Sequence, residues 1–364
     1  MIPHVDLTRQ HAALREPLLA AMARVLDSSR FILGAEGEAL EAALAARSGV
    51  GHGVGVASGT DALRLALQAL GAGPGDEVVT PAFSFVASGS AILMVGATPV
   101  FVDIEPETYA LDVRALERAI TERTRGVVAV HLYGHPAPME AIAALCRERG
   151  LFLIEDAAQA IGAELHGRPV GAWGDATCLS FYPTKNLGAC GDGGMVLTDR
   201  EDIAGRLRRL RHHGDGGRYR HLELGVSSRL DELQAAILRV KLPHVDAWTD
   251  NCRRIAARYD ARLKDTPLTL PRSRPEARHV YHLYTIRHGQ REALAKALAD
   301  LGVGTAVHYP VPIPAQPMFG GDERGWPEAA RAAREVLSLP CFAEMTDEEV
   351  EEVAHAVRRA CERL

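Results

Sequence analysis

The stretch HGVGVASGTDALRLALQAL, His52 to Leu70, decides the fold. His52 to Ala57 is a short Gly/Val run that reads as a strand. Ser58-Gly59-Thr60-Asp61 interrupts it, and Ala62 to Leu70 continues as an unbroken helical pattern. Repeated, such a unit builds a parallel sheet with helices on its faces. The turn also has chemical content. A helix N-terminus leaves backbone N–H groups free, and a flanking hydroxyl with a glycine for close approach makes an anion site. Ser58 or Thr60 would serve equally well as a plain N-cap, so the turn alone leaves both readings open.

The rhythm continues downstream. Strands are expected at Glu77–Thr80, Thr98–Val102, Gly126–His131 and Leu151–Ile154, the last running into Glu155-Asp156. Helices alternate with them at Phe85–Val95, Asp112–Ile120 and Met139–Arg149. This predicts an α/β fold with a mostly parallel central sheet, whose ligand binds at the carboxyl ends of the strands. Two more strands, Ala176–Tyr182 and Met195–Thr198, bracket a Gly-rich loop, and two helices, about Gln10–Leu26 and Glu36–Ala46, precede the first strand. After Thr198 the pattern turns helical at Asp202–Leu210, Arg229–Lys241 and about Val245–Leu263. A Pro-containing linker, Thr266–Pro275, leads to a strand at Tyr281–Ile286, a helix at Arg291–Leu301 and a strand at Gly304–His308. A Pro-rich loop, Val311–Pro317, and helices at Glu328–Val336 and Asp347–Arg363 complete the chain. The expected division is a large domain over residues 1–245 and a smaller C-terminal α+β domain over 246–364.

The composition bounds the function. A chain of 364 residues exceeds one ordinary core. A formal net charge of -6 gives no footprint of a polyanion, and the arginines of Arg206–Arg211 alternate with leucines as a solvated helix face, so no nucleic-acid partner is expected. No apolar run reaches transmembrane length and the N-terminus, MIPHVDLTRQ, lacks the features of a signal peptide. The six cysteines are scattered without a CxxC pair, which supports neither a metal site nor a disulfide framework and fits a reducing cytoplasm.

Three features fall where strand ends should converge. One is the Ser58-Gly59-Thr60 turn. A second is Glu155-Asp156-Ala-Ala-Gln159, just past a strand, where an acid can be a helix cap, a metal ligand or the partner of a buried cation. The third is Lys185, in SFYPTKNLGACGDGG from Ser180 to Gly194. Position alone allows a surface loop lysine or a desolvated amine that forms a Schiff base. Lysine, strand-end aspartate and phosphate cradle together are the parts needed to hold pyridoxal 5'-phosphate. An aromatic residue should cover the cofactor ring, and Phe85 in PAFSFVAS is the candidate, with a core phenylalanine as its plainer reading.

SGTDAL, GDEVVTPAFSF, GATPVFVDI, HLYGHP, IEDAAQAIGA, SFYPTKNLGACGDGG, SSRLDELQAAIL and VHYPVPI occur in that order. Together they resemble the PLP-dependent nucleotide-sugar aminotransferases, a family of the aspartate-aminotransferase superfamily (PLP fold type I). The resemblance covers nearly the whole chain and is closest to members acting on dTDP-3-keto-6-deoxyhexoses. It implies that Lys185 forms the Schiff base and moves the substrate proton, and that Asp156 pairs with the pyridine nitrogen. It further implies that Gln159 contacts the ring hydroxyl, that Gly59, Thr60 and Ser180 hold the phosphate, and that Phe85 stacks on the ring. Tyr182, His308 and Tyr309 should face the sugar. L-Glutamate is the implied amino donor, in a ping-pong reaction. A homodimer with shared active sites is also implied, the segment before RLDELQAA reaching the neighbour's phosphate. Two positions depart from the family: Ser227 stands where an asparagine is usual, shortening that reach, and Pro314 stands where a histidine is common, removing a side-chain donor.

Other readings stay open at this stage. The acceptor can be a 4-keto nucleotide sugar or a keto-inositol. A deoxygenating dehydratase of the same fold resembles members with histidine in place of the lysine, which Lys185 opposes. A non-catalytic PLP-binding regulator is the reading from a different class.

Overall fold

The computed structural model describes residues 1–322 and 324–364. In chain order its strands are β1 (His52–Val56), β2 (Glu77–Pro81), β3 (Thr98–Val102), β4 (Thr124–Val130) and β5 (Phe152–Asp156). The short pair β6 (Glu164–Leu165) and β7 (Arg168–Pro169) follows, then β8 (Ala176–Ser180) and β9 (Gly194–Thr198). Seven of these form one sheet in the order β1-β9-β8-β5-β4-β2-β3. Neighbours are parallel except at β9, which runs antiparallel to both β1 and β8. Central strands such as ATCLS and GMVLT are buried along their whole length, because helices cover both faces of a parallel sheet.

The helices of this part are α1 (Leu7–Ser28), α2 (Ala35–Ser48), α3 (Gly59–Ala69), α4 (Ala87–Met94), α5 (Val113–Ala119), α6 (Met139–Arg149), α7 (Glu201–Leu210) and α8 (Glu232–Lys241). Helix α3 packs on the sheet and on two other helices. It buries Ala62, Leu63, Leu65, Ala66, Leu67 and Ala69 against β8, β9, α4 and α7. Each fully buried leucine there contributes roughly 1.5–3 kcal/mol.

A second apolar core gathers Ile255, Tyr259, Tyr284, Ile286, Leu294, Leu298, Val350 and Val357, with Ile2 from the N-terminus. It lies among α9 (Val245–Leu263), α10 (Arg291–Asp300), α12 (Asp347–Cys361) and a two-stranded antiparallel ribbon. That ribbon follows β10 (Ala277–Arg278) and consists of β11 (Tyr284–Arg287) and β12 (Val336–Leu339), the latter preceded by α11 (Pro327–Glu335). A capping box between Thr346 and Glu349 starts α12.

Several expected boundaries move. Gly304–His308 is no strand; only Ala306 bridges to Ser338, and the segment runs on into the site. The helix expected at Glu328–Val336 ends at Glu335, and Val336 opens a strand, β12. The strand expected at Tyr281–Ile286 starts at Tyr284. Helix α8 begins only at Glu232, because Asp231 caps it by accepting from the N–H of Gln234, so residues 227–230 are loop. Helix α4 starts at Ala87, which leaves Phe85 outside it, and β8 stops at Ser180. The β6–β7–β10 sheet carried no periodic signal, since its strands have two residues each.

These connections bring one edge of the sheet together. Strand β1 ends beside Ser58, β9 starts at Gly194, β8 ends at Ser180, β5 at Asp156 and β4 before His131, while β2 leads through Ala82 and Phe83 to Ser84 and Phe85.

Candidate active site

A cavity of ≈ 490 Å³ opens at that edge. Gly59, Thr60, Phe85, Asp156, Gln159, Ser180, Tyr182, Lys185, His308 and Tyr309 all line it, so every expected site residue but Ser227 converges there.

Lys185 lies in a turn whose backbone N–H donates to the Tyr182 carbonyl (2.8 Å). The turn is tight: a Cβ on Gly188 would stand 2.1 Å from the Pro183 carbonyl oxygen. Helix α8 holds the loop at two points. Gln234 accepts from the Cys190 N–H (2.8 Å), and the buried ammonium of Lys241 donates to the Gly188 carbonyl (2.8 Å). The Lys185 amine makes no hydrogen bond among the described residues. Burial lowers its pKa to about 8, with the Asp156 charge pulling the other way.

Asp156 is buried at the end of β5. It accepts from the Ser88 hydroxyl (2.9 Å) and the Ala158 N–H (3.2 Å). Burial still raises its pKa, because two neutral donors do not replace the lost water. Such a carboxylate is completed by a cation. Its neighbour Glu155 is already satisfied, accepting from the N–H groups of Gly171, Trp173 and Gly174 and from the Thr177 hydroxyl. His131 accepts the Ala137 N–H at Nδ1 (3.0 Å), which leaves its proton on Nε2, 3.1 Å from Glu155. Burial pushes the Glu155 carboxyl up, but the bonds from His131, Gly174 and Gly171 outweigh it and leave it below its ordinary value.

At the other end of the cavity Ser58 caps α3, accepting from the Asp61 N–H (3.1 Å). The N–H groups of Gly59 and Thr60 fall in the first turn, where a helix has no acceptor of its own. A Cβ on Gly59 would meet Ser180 Cβ at 2.7 Å, and one on Gly194 the Ser58 carbonyl oxygen at 2.3 Å, so both glycines keep the cradle open. The donor set therefore fits pyridoxal phosphate. Anion donors lie at one end, a carboxylate in need of a cation at the other, and a buried amine lines the same cavity.

Phe85 is 51% exposed, so it is a cavity residue and no core phenylalanine; its ring lies 5.7 Å from that of Tyr309. Gln159 accepts from the Tyr133 N–H (2.7 Å) and donates to the Tyr309 hydroxyl (3.2 Å). Tyr182 is half exposed at the mouth, and the His308 ring pairs with the Ser338 hydroxyl (3.1 Å). Ser227 stands outside the cavity of its own chain, accepting from Arg229 (2.8 Å). Pro314 is buried in a turn docked on Ala82 and does not line the cavity. Sequence reasoning missed Ser84, Ser88, His131, Asp192 and His282. All but His282 stood inside quoted motifs without being singled out; Ser84 and Ser88 carry an i, i+4 spacing that reads as plain helix surface.

Comparison with known proteins agrees with this geometry. The model of the DegT/DnrJ/EryC1/StrS aminotransferase family matches residues 13–358. A UDP-N-acetyl-3-dehydro-α-D-glucosamine 3-aminotransferase of Acidithiobacillus ferrooxidans is 49% identical over 359 residues, 98% of this chain and 97% of that one. A dTDP-3-amino-3,4,6-trideoxy-α-D-glucose transaminase of Streptomyces venezuelae is 45% identical over 100% of this chain and 97% of its own. The crystal structure of S. venezuelae DesV in complex with a ketimine intermediate superposes with a TM-score of 0.98 at 45% identity, covering 100% of this chain and 99% of that one. The PLP form of a sugar aminotransferase, Spr1654 of Streptococcus pneumoniae, has a TM-score of 0.90 at 26% identity and covers 96% of each chain.

Proposed function

The chain belongs to the DegT/DnrJ/EryC1/StrS aminotransferase family and is a pyridoxal-phosphate-dependent sugar aminotransferase, and from that premise we propose its reaction. It transfers an amino group from L-glutamate to C3 of a dTDP-3-keto-6-deoxyhexose, in two half-reactions with the donor leaving before the sugar enters. One observation carries the reading: a partly buried amine without a hydrogen-bond partner among the described residues, Lys185, lines the same cavity as Asp156, Gly59, Thr60, Tyr182, His308 and Tyr309. A UDP-linked 3-keto sugar is the second reading, favoured by the 49% identity to a relative named for such a substrate.

When bound, the cofactor supplies an aldehyde that takes up amines and a ring that withdraws electrons. The residues do the rest. Asp156, fixed by Ser88 and Ala158, keeps a proton on a ring nitrogen placed against it. Gly59, Thr60 and Ser180 bind the phosphate, Gln159 donates to the ring hydroxyl and Phe85 covers the face. Lys185 holds the aldehyde at rest and, once released, is the base that moves the substrate proton; a pKa near 8 suits both tasks. Tyr182, His308 and Tyr309 orient the sugar. Ser227 belongs to the neighbouring subunit's site in a homodimer, and we place the domain boundary at residue 245, between the two apolar cores. The six free cysteines support the cytoplasm as compartment.

The test uses the bound cofactor's own absorption. Glutamate should convert it to the pyridoxamine form, and that form should then be consumed by keto sugars. Consumption by a dTDP-4-keto sugar alone would overturn the regiochemistry, and preference for the UDP-linked ketone would select the second reading. Normal turnover by Lys185→Ala would sink the mechanism.

A further inference from the structure

Three hydrogen bonds close a ring across the cavity wall, and Tyr133 supplies two of them. Its N–H donates to Gln159 Oε1 (2.7 Å) and its hydroxyl to the His308 carbonyl, while Gln159 Nε2 donates to the Tyr309 hydroxyl (3.2 Å). The peptide link between His308 and Tyr309 completes the circuit. Tyr133 is buried and adopts φ 59°, ψ 5°, the left-handed region that a non-glycine residue occupies only when its surroundings impose it. The surroundings are visible. The Tyr109 ring packs edge-on against it with centroids 5.3 Å apart, and the next residue, Gly134, accepts from the Val280 N–H (3.0 Å). A Cβ on Gly134 would stand 3.0 Å from the Gln159 carbonyl oxygen and the His282 nitrogen, so the approach is as close as the backbone allows.

The ring fixes directions. The Gln159 oxygen is taken by Tyr133, so only its NH2 group faces outward, and one of those hydrogens goes to Tyr309. The Tyr309 oxygen therefore accepts, and its own proton is left to donate into the cavity. Burial raises the Tyr133 and Tyr309 phenols, which keeps both protonated and able to donate. The His308 ring is held separately, by Ser338, so the Tyr133 hydroxyl is what ties the backbone of this segment to the cofactor side.

We infer that Tyr133 is a positioning residue for the sugar half-reaction: its phenol holds the His308–Tyr309 backbone against Gln159 and so presents the Tyr309 hydroxyl as a donor to the nucleotide-linked sugar. This rests on the reading that Tyr309 faces the sugar. Tyr133 does not line the cavity and acts through residue 309.

Tyr133→Phe removes the hydroxyl and keeps the backbone N–H on Gln159. In the cofactor-loaded protein, affinity for dTDP-3-amino-3,6-dideoxy-α-D-galactopyranose, or for the UDP-linked 3-amino sugar if that is what the wild type binds, should fall about tenfold. Conversion of the bound cofactor by glutamate should stay within about twofold, since the bond to Gln159 is intact. Tyr309→Phe should lose a similar amount, and the double variant no more than Tyr309→Phe alone. Amide exchange over residues 304–309 should quicken in Tyr133→Phe while residues 157–160 are unchanged. Unaltered sugar affinity, additive losses, equal damage to both half-reactions, or failure of Tyr133→Phe to fold would each overturn the inference. If the wild type binds neither nucleotide, the substrate reading fails, and the exchange data alone decide: unchanged exchange at 304–309 refutes the role of Tyr133.

Discussion

Replacing Lys185 by methionine in the cofactor-free protein should relieve it of a buried charge, by an amount that depends on pH. Burial brings the amine from 10.5 to about 8. A difference of about 2.5 units, at about 1.4 kcal/mol per unit, is about 3 kcal/mol of penalty on the folded ammonium form. The sign follows from proton counts. Between about pH 8 and 10.5 the unfolded chain holds the proton and the folded chain has lost it, so stability rises with pH across that window. Below it the wild type bears the whole penalty; above it, none. Lys185→Met lacks the group, so the stability difference between variant and wild type should shrink by about 3 kcal/mol from about pH 7.5 to about pH 10.5. Loss of the cation beside Asp156 subtracts from the absolute gain at neutral pH, so the change between pH values is the quantity to read. Urea unfolding of both apoproteins at several pH values measures it. A difference independent of pH, or one that favours the wild type increasingly toward neutral pH, would refute the reasoning. The same shift bears on function. At neutral pH about a tenth of such an amine is unprotonated, against roughly 0.03% for an ordinary lysine, and only the neutral form captures an aldehyde.

Gly59→Ala should weaken pyridoxal phosphate binding by about 10- to 100-fold in equilibrium dialysis, because its Cβ would press on Ser180 at 2.7 Å and overpacking of this kind costs about 1–3 kcal/mol. Wild-type affinity would mean that the phosphate does not lie there. Glu155→Gln should destabilise the fold by about 2–4 kcal/mol in urea unfolding, since an amide NH2 would face backbone donors that now find a carboxylate. The Glu155 carboxyl sits below its ordinary value of 4.5, so that difference should be constant above about pH 4.5 and shrink as pH falls through the folded pKa. A difference that grows on acidification would contradict the assignment. Lys185→Ala and Ser227→Glu, each inactive alone, should recover about a quarter of wild-type activity when equal amounts are mixed and exchanged, because half the dimers are hybrids with one intact site. No recovery would rule out shared sites.

Periodicity made the sheet edge legible. Val54, Val56 and the helix that follows, the run into Glu155-Asp156 and the run into Ser180 each announce a buried strand with a polar terminus, and parallel pairing then has to bring those termini together. Lys185 became readable through that edge together with the ordered motifs of the family resemblance. Its own surroundings, a tight turn held by Gln234 and Lys241 from a helix some 45 residues on, leave no mark near it in the sequence. The deep burial of Lys241 was equally hidden, since a lysine closing an amphipathic helix normally reads as solvated.

Ser88, inside α4, was missed because it reads as plain helix surface; most of what else escaped the sequence sits where the backbone is irregular. Phe85 was assigned to a helix because the apolar run continues through it, yet α4 starts two residues later and frees the ring for the cavity. Gly304–His308 alternates like a strand, but it makes a single bridge and then turns to deliver His308 and Tyr309. Tyr133 and Tyr281 take left-handed conformations that no residue-type preference predicts for tyrosine, because tertiary contacts impose them. Period-based reading depends on a repeating backbone, and a site that must aim individual side chains cannot repeat. The cofactor end of this cavity is built on strand and helix termini and was therefore foreseeable in outline. The end we propose for the sugar, at His308 and Tyr309, is built on irregular backbone, so its selectivity has to be read from hydrogen-bond geometry, as in the Tyr133–Gln159–Tyr309 ring.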